Sequence, residues 1–130
     1  MGRLIILYNM LKKTFLRMCY GSLRYAMKNG LVAENDCIVS SGCDFGSEPY
    51  LIKLHHNVRI STGVTLLTHD GGVHTINARM KNSVCKIHKY GRIEIGDNTF
   101  IGANAIVLPG CFIGKNLYNW GWKCCYAFNS

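Results

Sequence analysis

A chain of 130 residues is one domain, and fifteen Lys and Arg against seven Asp and Glu give it a net charge of +8. That balance suits coenzyme phosphates, acidic glycans or an anionic membrane surface; nucleic acid is set aside, because no binding motif and no aromatic-basic interleave is present. No secretory signal and no run of membrane-spanning length is visible, and several of the seven cysteines fall at expected core positions, which together predict a reduced, cytoplasmic setting.

Residues 1–30 carry Leu4, Leu7, Leu11, Phe15, Met18 and Leu23 at helical spacing, with Lys12, Lys13, Arg17, Arg24 and Lys28 between them. The spacing predicts a basic amphipathic helix ending near Gly30. It suits either a cap over the first coil of a repeat array or a peripheral anchor on a membrane surface.

Beyond it a six-residue beat begins. Val39 and Phe45 stand six apart, each trailing a cysteine, Cys37 and Cys43. Leu54, Ile60 and Leu66 continue the beat, with Val58 and Val64 at the fourth-place offset and Gly63 at a corner. It is sharpest through Ile95, Ile101, Val107 and Ile113. Each unit makes one flat strand and one corner, and stacked units bury a shared core, so residues 31–116 read as a solenoid. The register slips at Gly46-Ser47-Glu48-Pro49-Tyr50, a small insertion, and breaks over residues 70–90, read as one long loop. A solenoid this short exposes bare ends and flat faces, which predicts oligomerisation.

The chemistry is expected at Thr68-His69-Asp70-Gly71-Gly72, where a regular rung gives way to the loop. An imidazole titrates near neutral pH, and one held at the edge of rigid scaffold is placed to act as a general base, a role worth roughly 10² to 10⁴ in rate. In the loop, His74, Asn77 and Arg79 are candidates for touching the acceptor. Asp70, adjacent to the base, is expected to bind acceptor rather than to orient the imidazole, and no orienting group is identified. His55 and His56 are read as facing solvent, and His88 as part of a basic patch with Lys86, Lys89 and Arg92.

These repeats resemble the hexapeptide-repeat acyltransferases. The resemblance implies a mainly β fold, a left-handed parallel β-helix, here with an N-terminal α-helix and one long loop. The Ser47-Glu48-Pro49-Tyr50 insertion followed by the Thr-His-Asp-Gly-Gly loop looks most like the acetyltransferases that decorate capsular and lipopolysaccharide sugars. By that likeness the protein is a homotrimer moving an acetyl group from acetyl-CoA to a saccharide hydroxyl, without a metal, with His69 as base. The donor would lie in a groove between neighbouring solenoids, where Gly102 and Ala103, at the Ile101-Gly102-Ala103 corner, match a family contact and let an extended ligand lie close to the backbone. The γ-type carbonic anhydrases share the solenoid, and the five-residue spacing of His69 and His74 also resembles their metal pair.

The family's next donor contact, a segment of the form Ile-Gly-Ala-Gly-Ser-Val-Val-Thr, is missing. After Asn116 the beat stops and Trp120, Trp122, Cys124 and Cys125 arrive together. Reading each codon's last two bases with the next codon's first base forces Gly from Trp120-Gly121 and again from Trp122-Lys123, and permits the whole missing segment around them. Residues 117–130 therefore read as an out-of-frame tail, leaving the chain either an impaired enzyme or an inactive, oligomerising subunit.

Overall fold

The computed structural model describes residues 2–80, 86–119 and 124–125. Where one N-terminal helix is expected there are two, α1 (Gly2–Tyr20) and α2 (Ser22–Lys28). Gly21 divides them at φ 74°, a left-handed conformation that glycine adopts without steric cost and that interrupts the helical ladder. Ala26 is buried and Leu23 packs partly on the core, so it is α2 that joins the core, with buried Leu31 just after it. The side chains of Arg17 and Met18 lie outside the described residues.

The strands are short and parallel: β1 (Val32–Ala33), β2 (Ile38–Val39), β3 (Ile52–Leu54), β4 (Arg59–Ile60), β5 (Thr65–Leu66), β6 (Ile93–Ile95), β7 (Phe100–Ile101), β8 (Ile106–Val107), β9 (Phe112–Ile113), β10 (Tyr118–Asn119) and β11 (Cys124–Cys125). They form three sheets, ordered β1-β3-β6-β9, β10-β7-β4-β2 and β11-β8-β5. The chain visits these in rotation, β3, β4, β5, then β6, β7, β8, then β9, β10, β11. In the first turn Asp44 takes the third place by bridging Thr65.

The residues that keep the beat meet between the sheets. Leu54, Ile60, Leu66, Ile95, Ile101, Val107 and Ile113 are buried, each such side chain contributing about 1.5–3 kcal/mol relative to exposure. Four places on, Val58, Val64, Thr99, Ala105 and Cys111 fill the narrower corners. Thr99 is admitted because its hydroxyl donates to the Gly114 carbonyl (2.8 Å).

One corner carries an asparagine column. Asn57, Asn98 and Asn116 stand at φ 52°, 54° and 58°, and each side-chain amide donates to the next, Asn57 Nδ2 to Asn98 Oδ1 (2.9 Å) and Asn98 Nδ2 to Asn116 Oδ1 (3.2 Å). Asparagine tolerates the left-handed region better than other residues with a Cβ, and its amide satisfies its copy in the next turn.

Two expectations change. The stretch after Asp70 is not wholly irregular, since it holds a third helix, α3 (Val73–Arg79). Nor does the repeat end at Asn116 in the backbone. β10 and β11 follow β9 at the same six-residue interval and pair in register, Tyr118 with Phe100 and Cys124 with Ile106. Strand pairing uses main-chain groups and survives loss of the aliphatic pattern; Asn119 holds the register place opposite Ile101. The remainder of the expected out-of-frame tail, residues 120–123 and 126–130, lies outside the described residues.

Candidate active site

The rung Thr65–Leu66 runs into Leu67-Thr68-His69, and there the loop departs. It returns alongside its own start: Asp70 N–H donates to Lys89 C=O (3.0 Å), His69 bridges Tyr90 antiparallel, and Gly91 N–H donates to Thr68 C=O (2.9 Å). The returning strand passes so near the next turn that a Cβ on Gly91 would stand 2.2 Å from Gly110 N. His69 is therefore fixed by main-chain bonds on a rigid edge, although the loop beyond is long.

Its imidazole has a partner that the sequence did not disclose. Glu48 Oε2 accepts from His69 Nδ1 (3.0 Å) and from the hydroxyl of buried Thr68 (2.6 Å). Burial pushes the Glu48 carboxyl up, but the hydrogen bonds from Thr68 and His69 and the His69 charge outweigh it and hold the group below the usual glutamate range. An ionised Glu48 keeps the proton on Nδ1 and leaves Nε2 as the basic nitrogen. Glu48 is the more buried member, 16% exposed against 45% for His69.

A signal for this pair exists in the register. Val32 pairs with Lys53, Ile38 with Arg59 and Asp44 with Thr65, each 21 residues apart, and Glu48 and His69 are 21 apart as well. The slip at 46–50 hides it by lengthening the first turn.

Two clefts meet at His69. One, of about 420 Å³, is lined by His69, Asp70, His74, Asn77, Lys86 and Tyr90, among others. The other, of about 470 Å³, lies against the rung and is lined by Leu67, His69, Asp70, Lys89, Leu108 and Pro109. His69 is thus reachable from two directions.

The other expected site residues divide. Asp70 lines both clefts and spends its carboxylate elsewhere than on the imidazole, accepting from Gly72 N–H (2.9 Å) and pairing with Lys89 (3.4 Å), which hold it below the ordinary aspartate range. His74, exposed on α3, lines the loop cleft. Asn77 also lines it, but its side chain is engaged: Nδ2 donates to Ile87 C=O and Oδ1 accepts from Ile87 N–H, both at 2.8 Å, clamping the returning segment to α3. Arg79, at the end of α3, lines neither cleft, and neither do Gly102 and Ala103, which form the corner after β7. His55 is not simply solvent-facing, since its Nε2 pairs with Glu94 Oε1 at 2.5 Å. Among the described residues no group of three or more His, Cys, Asp or Glu side chains converges to hold a metal.

The chain is similar to Protein CapG of Staphylococcus aureus. The two are 41% identical over 104 residues, 77% of this chain and 58% of that protein, so the chain spans less than two thirds of the length of this relative. No family model and no solved structure matches the chain.

Proposed function

We propose that the protein acts in capsule polysaccharide biosynthesis by moving an acetyl group from acetyl-CoA to a saccharide hydroxyl, on a left-handed parallel β-helix assembled as a homotrimer. The likeness to Protein CapG supports the capsule role. The observation that carries the chemistry is the Thr68-Glu48-His69 arrangement, an imidazole oriented through Nδ1 at the junction of two clefts.

In this reading the acceptor enters from the loop cleft, beside Asp70 and His74, and the thioester lies along Leu108 and Pro109, just after β8. His69 Nε2 takes the hydroxyl proton as that oxygen attacks the thioester carbonyl. The tetrahedral oxyanion is steadied by backbone N–H groups, the C–S bond breaks, and the proton passes from Nε2 to the leaving thiolate to give the acetyl ester and free CoA. Glu48 keeps its charge throughout and stabilises the imidazolium between the two transfers. Gly102 and Ala103 line neither His69 cleft, so their role as a donor contact requires a groove shared between copies of the chain.

Calorimetric titration with acetyl-CoA tests the donor assignment. Saturable binding, competed by CoA, is expected; a chain that is folded by circular dichroism and takes up no acetyl-CoA removes the donor from the reading.

A further inference from the structure

Helix α1 stands apart from the packed core. Leu4, Leu7, Tyr8, Leu11 and Phe15 are 72%, 53%, 64%, 62% and 60% exposed, and helical geometry puts all five on one face. Arg3 and Lys12 flank that face, and Lys13 lies opposite, among exposed Ile6 and Met10. An apolar stripe of this length does not stay bare on an isolated helix in water.

Charge indicates what covers it. Residues 1–33 contain Arg3, Lys12, Lys13, Arg17, Arg24 and Lys28 and no Asp or Glu. A second copy of the chain has little negative charge to offer such a helix, because six of the seven acidic side chains already hold partners: Asp36 with His56, Asp44 with Gly46 N–H, Glu48 with Thr68 and His69, Asp70 with Lys89, Glu94 with His55, and Asp97 with His56 N–H. An anionic phospholipid surface supplies both an apolar layer for the stripe and negative headgroups for the flanking cations. Spanning is a different matter, since no helix among the described residues is long and apolar enough to cross a membrane.

We propose that α1 is an interfacial anchor that lies in the plane of an anionic phospholipid membrane, with Leu4, Leu7, Leu11 and Phe15 directed into the acyl boundary. Gly21 then sets the angle between this helix and α2, and so the attitude of the β body above the lipid. The inference is independent of the acetyl-transfer reading and stands or falls on lipid binding alone.

Co-sedimentation of the full chain with vesicles tests it. Binding is expected to equimolar phosphatidylglycerol and phosphatidylcholine, far less to phosphatidylcholine alone, and the difference should shrink in high salt. The Leu7→Glu/Leu11→Glu variant should stay with the supernatant while keeping its sheet spectrum and elution volume. At about five-fold per flanking cation, Arg3→Ala/Lys12→Ala should weaken partitioning by about 25-fold. Failure to bind anionic vesicles overturns the proposal, as does undiminished binding by Leu7→Glu/Leu11→Glu. A shift of that variant to a smaller assembly also overturns it, because the stripe would then be covered by a second copy.

Discussion

The unit on which the proposed chemistry turns is three side chains, and the central one is a carboxylate. Glu48 accepts two hydrogen bonds on one oxygen and is held ionised by them. Its folded pKa lies below its unfolded one, so its contribution to stability is complete above the ordinary glutamate range and is lost as pH falls through the depressed value. Denaturation midpoints measured across the acid range should therefore fall for the native chain, whereas Glu48→Gln should start lower at neutral pH and lose less on acidification. His69 was legible in the sequence because a histidine at the junction of repeat and loop is conspicuous. Glu48 was not, because a broken period conceals which turn lies over which. Asn77 shows the opposite failure: an amide in a polar loop looks free to bind a sugar, and only the fold reveals Ile87 occupying both of its ends. The buried Cys43 thiol, pushed up by burial, should react slowly with iodoacetamide at neutral pH until the chain is unfolded.

Among the elements, side-chain stacking from turn to turn sets the strand positions. Ile101 is fully buried where β4, β7 and β10 pair, and Ile101→Ala should cost about 2–5 kcal/mol by denaturant melting. At the asparagine corner, Asn98→Ala should cost about 1–2 kcal/mol, from a left-handed Cβ and the loss of two amide contacts. Asn98→Gly should recover part of that loss by relieving the backbone alone. A period of six marks these strands plainly because every inward side chain has the same environment. Helix α3 is harder to read: it spans seven residues, buries none of them, and has Gly72 before it, which offers no side-chain cap. The break at Gly21 is likewise masked by apolar spacing that runs on from α1 into α2.

For the whole molecule, the outward faces of the sheets are not those of a finished surface. Val32, Ile38, Phe112 and Tyr118 are more than half exposed, and Tyr118 stacks on Phe100 at 4.8 Å. The proposed homotrimer would cover such faces, and light scattering should then return three times the chain mass of 14.6 kDa; a monomer across the micromolar range contradicts that assembly. The tail separates two kinds of regularity. Its aliphatic pattern fails after Ile113, yet β10 and β11 still add to the sheets, so a hydrophobic period reports what is packed inside rather than where the backbone pairs. The measurement that bears most directly on the proposed activity is transfer of labelled acetyl from acetyl-CoA to de-O-acetylated capsular polysaccharide, by the native chain and by His69→Asn. Label on the polysaccharide is expected, with a rate lowered roughly 10² to 10⁴-fold in the variant at unchanged acetyl-CoA affinity. Absence of transfer by a chain that binds acetyl-CoA, or equal rates from the two proteins, would contradict it.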